Sequence, residues 1–171
     1  MNILAALEAE HSKAQTNKIV AYIGNDNTRF EVLMAIFLNE KNTRTVQRAA
    51  WPLSCIGEKM PILVLPYTEI LFNLLDKNVH DGVKRNILRT YRNIPIPEDL
   101  QGLVLDKCFN LIIIPNYPSA QKAFALDILS KICKNIPELA SELCLIIKEQ
   151  WENEKPGFKS IGGKILKKLD K

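Results

Sequence analysis

The sequence VQRAAW at residues 46–51 returns in outline as VKRNIL at 83–88, AQKAFA at 120–125 and GFKSIG at 157–162. The four segments begin at a constant interval of 37 residues, and the third residue of each is a cation. A period of about 20 to 50 residues is typical of chains built from stacked supersecondary units. The interval therefore predicts a repeat architecture. The four cations, which we call the basic ladder, are Arg48, Arg85, Lys122 and Lys159.

Each repeat is predicted to be a helix, a turn that contains proline, and a second helix. In the clearest copy, four apolar residues recur at the spacing of one helical face. These residues are Ala120, Phe124, Ile128 and Ile132. Pro137 follows where the first residue of a helix is favoured, and Glu138 lies beside the positive end of the next helix dipole. A second apolar face runs through residues 139–147, and Pro97 and Pro61 occupy corresponding places in earlier repeats.

These units predict an all-α fold, a right-handed α-α superhelix of about four and a half helical pairs in a single domain over residues 1–171. The units are residues 12–42, 43–78, 79–117 and 118–154, followed by a lone terminal cap helix at 155–171. In the shorter first unit we place helices at 12–24 and 28–40. Residues 1–10 are expected to form a capping helix or to extend the first one.

The composition agrees with a helical protein that buries a continuous core. Of the 171 residues 47% are hydrophobic, and only seven are glycine. The apolar run at residues 111–114 is far shorter than the roughly 20 residues that a membrane-spanning helix needs. Because the N-terminal residues lack a basic leader, we expect no secretory signal, a cytoplasmic location and no membrane partner.

The cysteines indicate reduced, buried thiols. They lie in apolar helical stretches without the close spacing of a metal knuckle or a redox dithiol, at Cys55, Cys108, Cys133 and Cys144. The only imidazoles are His11 and His80, so a zinc site would have to be gathered from different repeats. We therefore expect no metal and no cofactor.

The sequence offers no convincing catalytic group. His80 and Asp81 precede a predicted helix, where Asp81 is expected to be the N-cap and His80 a solvated loop residue. A catalytic dyad would need a nucleophile, and no serine lies in a glycine-rich strand-to-helix turn. Gly162 and Gly163 are expected to let the terminal helix approach its neighbour closely. We predict a protein that is not an enzyme.

The segment VQRAAWPL at residues 46–53 resembles the start of a first helix in HEAT and armadillo-like repeats, including a proline at Pro52 that would kink it. The similarity extends from about residue 12 to the C-terminal end. Two features depart from the family pattern. Its recurring Asp and Arg have no regular counterpart here, and the places that match Pro52 are Arg89 and Leu126. The resemblance implies a convex surface made of first helices and a concave surface made of second helices.

Charge is distributed unevenly between the two sets of helices. Cations outnumber acids on the predicted first helices, and acids outnumber cations on the second, although the net charge is only +4. With the resemblance, this asymmetry implies a basic back and an acidic groove. The candidate groove residues are Glu98, Asp106, Glu142 and Glu149, with Trp151 either packed on the terminal helix or exposed as an anchor for a partner.

The leading interpretation is a protein-interaction scaffold or adaptor whose acidic concave face binds a basic protein segment. An acidic groove would repel a phosphate backbone, so a nucleic-acid-binding protein similar to DNA alkylation repair enzymes is the runner-up and would use the basic ladder. The ladder could equally be structural, each stem lying along a neighbouring helix with its charge in water. An accessory subunit of an enzyme, and charges that are only a solvated face, also stay open, as does the oligomeric state.

Overall fold

The computed structural model describes residues 1–169, and all regular structure within them is helical. The predicted all-α class is confirmed. The last two residues, which the sequence analysis assigned to the terminal cap helix, lie outside the described part. The chain divides into two compact units, the first comprising residues 1–95 and the second beginning at Ile96.

The first unit contains seven α-helices in the described chain. They are α1 (Ile3–Ala9), α2 (Lys13–Ile23), α3 (Asn27–Asn39), α4 (Thr43–Lys59), α5 (Pro61–Val64), α6 (Thr68–Asn73) and α7 (Asp81–Tyr91). Single 3₁₀ turns follow α5 at Leu65–Tyr67 and α6 at Leu74–Asp76. The expected second helix of the second repeat is broken into pieces, because Pro66 withholds a backbone donor within it. Pro61 instead occupies the first position of α5, where proline is favoured.

The second unit contains four longer helices. They are α8 (Glu98–Ile113), α9 (Ser119–Cys133), α10 (Pro137–Gln150) and α11 (Pro156–Leu169), with a 3₁₀ turn at Trp151–Asn153. By the repeat units predicted from the sequence, the first helices are α2, α4, α7, α9 and α11. The second helices are α3, the α5–α6 segment, α8 and α10. Each residue of the basic ladder lies in the first two turns of a first helix, as the 37-residue interval predicted.

Side-chain caps explain where the helices of the first unit begin. The side chains of Asn2, Ser12, Asp26 and Asn42 each accept a hydrogen bond from a backbone N–H in the first turn that follows. The predicted N-cap at Asp81 is wrong. His80 caps α7, its Nδ1 accepting a hydrogen bond from the Gly82 N–H at 2.9 Å, and Asp81 is the first helical residue.

The most extensive helix packing in the first unit is between α4 and α7. A β-carbon at Gly57 would lie 2.4 Å from the Thr90 methyl carbon, so only glycine fits there. Beside this contact, the buried Ser54 hydroxyl donates to Asn86 Oδ1 at 3.3 Å. The helix α4 continues through Pro52 as one element.

In the second unit α9 is central and packs against α8, α10 and α11. The helix α11 approaches α10 closely, as expected from its two glycines. A β-carbon at Gly162 would lie 2.9 Å from the Ile147 Cγ2 atom, and one at Gly163 would lie 3.4 Å from the Trp151 ring. Ile147 is completely buried and branched at Cβ, so its methyl group has little room to yield.

We expect Gly162→Ala and Gly163→Ala to affect stability in opposite directions. At residue 162 overpacking costs about 1–3 kcal/mol, which exceeds the gain in helix propensity. At residue 163 the new methyl makes an ordinary contact, and the propensity gain of up to about 1 kcal/mol remains. The urea midpoint, followed by far-UV circular dichroism, should fall for the first variant and stay level or rise for the second. Equal shifts would contradict the packing.

Candidate functional site

The exposed large apolar side chains mark one set of helices. Within the described residues, those that lie on helices are confined to the second helices: Val32 on α3, Ile62 and Ile70 on the α5–α6 segment, Ile113 on α8 and Leu145 on α10. The first helices present none. Single exposed apolar residues are common on protein surfaces, but their restriction to one side of the repeat is informative.

On α10 an apolar residue lies between two acids. Glu142, Leu145 and Glu149 recur at helical spacing, and all three are exposed, Leu145 to 56%. We call them the α10 stripe. Neither carboxylate has a hydrogen-bond or ion-pair partner within residues 1–169, so both are available to a ligand.

The α8 acids are arranged differently. Asp106 is exposed and accepts a hydrogen bond from the Asn110 side-chain amide at 3.0 Å. Ile113, 52% exposed, follows two turns later on the same face. Glu98 is also exposed but lies in the first turn of α8, where its charge favours the helix dipole. It therefore lies about two turns before Asp106 and at the opposite end of this helix from Ile113.

The two second helices of this unit meet at a cleft of about 620 Å³. It is lined by the C-terminal parts of both helices and the segments that follow them: Ile113, Pro115, Asn116, Ile146, Glu149, Gln150, Asn153 and Glu154. Of the acids predicted from the sequence, the structure places only Glu149 in this cleft. Asp106 and Glu142 each lie two turns earlier on their helices.

Trp151 takes the packing role. Its half-buried ring lies against Gly162 and Gly163 of α11, close enough that added methyl groups there would touch it. Part of the ring stays at the surface, so contact of Trp151 with a partner remains a prediction.

A buried lysine lies behind the cleft. Lys122 is 0% exposed, and its ammonium donates to Gln150 Oε1 at 3.0 Å and to the Glu154 carboxylate. Its Nζ atom is also 5.8 Å from the centre of the Phe158 ring. The interpretation that every ladder charge stays in water is therefore wrong for Lys122. Its side chain is long enough to reach acceptors at the end of α10 and in the connection that follows.

The other ladder residues are not alike. Arg48 is half-buried and donates through Nη1 to the Leu7 and Glu8 carbonyl oxygens at 2.9 and 2.7 Å, which satisfies the C-terminal end of α1. Arg85 is exposed and Lys159 is half-exposed. Two of the four cations are thus used for bonds within the protein.

A smaller cleft of about 420 Å³ lies in the first unit. Its walls are mainly apolar, from Phe37, Val46 and Val83 among others, with Glu40 and His80 among the polar residues. Both polar side chains are used locally. Glu40 Oε1 accepts from the Asn42 N–H at 3.0 Å, and His80 Nδ1 caps α7. This cleft therefore offers less unused polar chemistry than the one in the second unit.

The four cysteines are free thiols, as predicted, and all but the half-buried Cys55 are buried. Burial raises the pKa of Cys55 and of Cys108. Burial, with smaller contributions from the Glu142 carboxylate and Cys144, raises the pKa of Cys133 to about 11. No group of three or more histidine, cysteine or acidic side chains within residues 1–169 is arranged to hold a metal ion.

The structure consists of successive helical pairs in which the second helix carries the exposed large apolar side chains. This arrangement defines an α-helical repeat protein. Consistent with this, the HEAT repeat domain family matches the chain over residues 3–169, and the chain belongs to that family. No curated protein and no solved structure matches it. None of the helices in the described chain is long and apolar enough to cross a membrane.

We expect Lys122→Met to lower the free energy of unfolding by about 2 to 4 kcal/mol, because it leaves the largely buried Glu154 without its counter-charge. Adding Glu154→Gln should recover part of the loss, since the unpaired charge is then removed. Urea unfolding of both single variants and the double variant would measure the coupling. Additive losses would contradict a direct interaction.

We expect the native thiols to react slowly with Ellman's reagent, Cys55 first. Only the thiolate reacts, and a pKa of about 11 leaves about one Cys133 thiol in a thousand ionised at pH 8. Raising the pH should therefore speed the reaction, and unfolding should complete it. Cys55→Ser should remove the first phase. Rapid labelling of two or more thiols in the folded protein, or stoichiometric zinc, would contradict this assignment.

Proposed function

We propose that this HEAT repeat protein is a non-enzymatic interaction scaffold or adaptor, and that the second-helix surface of its second unit binds a basic segment of another protein. One observation carries the proposal: among helical residues of the described chain, the exposed large apolar side chains lie on the second helices, and on α10 one of them lies between two carboxylates with no partner within residues 1–169. HEAT repeats generally mediate protein–protein interactions, which supports a protein as the ligand.

The chemistry of the α10 stripe supports a ligand that is both basic and apolar. Burying an exposed Leu145 side chain against a partner would contribute about 1.5–3 kcal/mol at most. The carboxylates of Glu142 and Glu149 would add less affinity but would speed association and set the position of the partner. A segment with lysine or arginine on either side of an apolar residue has the complementary pattern.

Nucleic acid is supported less well as the ligand. The basic ladder that would contact phosphates has Lys122 buried and Arg48 bonded to backbone carbonyls. The exposed acids of α8 and α10 would repel a phosphate backbone on the second-helix surface.

The proposal predicts that peptides selected on the whole protein from a random phage library will combine basic and apolar residues. For a fluorescein-labelled selected peptide, Glu142→Lys with Glu149→Lys should raise the Kd at least about tenfold, because attraction becomes repulsion. Leu145→Ser should weaken binding without changing the net charge. Fluorescence polarisation would measure each Kd, and far-UV circular dichroism would confirm that the fold is kept.

A matched control is Glu8→Lys with Glu10→Lys, which changes the net charge equally at exposed residues of the first unit. It should leave the Kd within about twofold, since exposed charges that do not contact the ligand are largely screened at physiological salt. Equal weakening by both pairs would contradict the proposed surface. Salt-sensitive binding of duplex DNA that persists in the α10 variant and is lost with Arg85→Glu and Lys159→Glu would favour the runner-up.

A further inference from the structure

We propose that the cleft between the ends of α8 and α10 receives one arginine side chain of the bound segment. This inference rests on the proposed function and adds the residue type that the cleft selects. The chemistry that it requires is an apolar channel for the arginine stem, an unused negative charge at its end, and several acceptors for the guanidinium. The cleft supplies all three.

The apolar part comes from both helices. Ile113 at the end of α8 and Ile146 on α10 line the cleft together with Pro115, and Ile113 is half-exposed before any ligand binds. The three methylene groups of an arginine can lie along such a surface while the charged head stays near water. A volume of about 620 Å³ is ample for one side chain with accompanying water.

The charges of the cleft favour a cation. Glu149 contributes a carboxylate with no partner within residues 1–169, whereas Glu154 is neutralised by the ammonium of Lys122. The lining residues and Lys122 together therefore carry one net negative charge. The cleft also lies at the C-terminal ends of α8 and α10, where the helix dipoles are negative. An anion would be repelled by each of these contributions.

The acceptors favour arginine over lysine. Besides Glu149, Asn116 and Asn153 line the cleft, and neither residue has a hydrogen-bond partner for its side chain in the described chain. Each side-chain amide carries an oxygen that can accept from a guanidinium. A guanidinium has five donors in one plane and can contact several acceptors at once, whereas an ammonium is a compact point charge.

The wall of the cleft is held in place before a ligand arrives. Lys122 fixes the side chains of Gln150 and Glu154 from inside the protein. Asn116 has a backbone φ of 58°, a left-handed conformation that asparagine tolerates better than most residues. Side chains and backbone that are already ordered lose less entropy on binding, so a single residue of the partner can be recognised here.

The test uses L-arginine methyl ester as the probe and two-dimensional ¹H–¹⁵N NMR of the whole protein as the measurement. The probe should shift the amide signals of residues 113–116 and 146–154 in a saturable way. The citrulline ester, which has nearly the same shape without the charge, should shift them little. The lysine ester should bind more weakly than the arginine ester. Glu149→Gln should raise the probe's Kd by about three- to fivefold, in keeping with an exposed ion pair.

Glu138→Gln is the matched control, because it removes the same charge three turns away on the same face of α10, outside both the cleft and the α10 stripe. It should leave the Kd of the probe unchanged. Equal amide shifts with the citrulline ester, or an equal rise of the probe's Kd in the two variants, would overturn the arginine site. The proposed function would survive that result if selected basic peptides still lost affinity in the α10 variants. If those peptides lost no affinity while the arginine ester still bound in a saturable way, the arginine site would be supported and the proposed function would be contradicted.

Discussion

The buried ammonium of Lys122 determines how the second unit is arranged around its central helix. A lysine that is removed from water must find acceptors, because an unpaired buried charge costs several kcal/mol. It finds them in Gln150 and Glu154, which belong to the end of α10 and the connection that leads into α11. One charge on α9 therefore fixes the path of the chain more than 25 residues later. The same two residues form the wall of the cleft, so packing and the candidate site share one constraint.

The repeat was predictable because its signals are local. Helical spacing, prolines at helix starts and a fixed interval of 37 residues placed the first helices and the cations that lie in their first two turns. The environment of each cation was not predictable, since Arg48 reaches the end of α1 while Lys122 turns inward. Those outcomes depend on partners 28 to 41 residues distant in the sequence. The N-cap of α7 was missed for another reason: an imidazole nitrogen at His80 replaced the more usual carboxylate.

The candidate surface was predictable in its charge but not in its shape. Glu142 and Glu149 could be named from the excess of acids on second helices, and both are exposed. The cleft was missed, because Asn116 and Asn153 lie in connections whose course no periodicity describes. A usable signal was present at Leu145, an apolar residue whose spacing from the two acids puts it on the wet face of α10. In other repeats of this kind, an apolar residue whose helical spacing places it away from the buried face is a signal of a candidate binding surface.

The attachment of α1 has a consequence for how this protein can be shortened. The helix has only seven residues, yet Ile3 and Leu7 are buried, and its last carbonyl groups are the acceptors of the Arg48 guanidinium. A chain trimmed to the first residue of α2 would lose those two apolar side chains and would leave a cation of α4 without its acceptors. The helix α1 is therefore an integral part of the folded first unit.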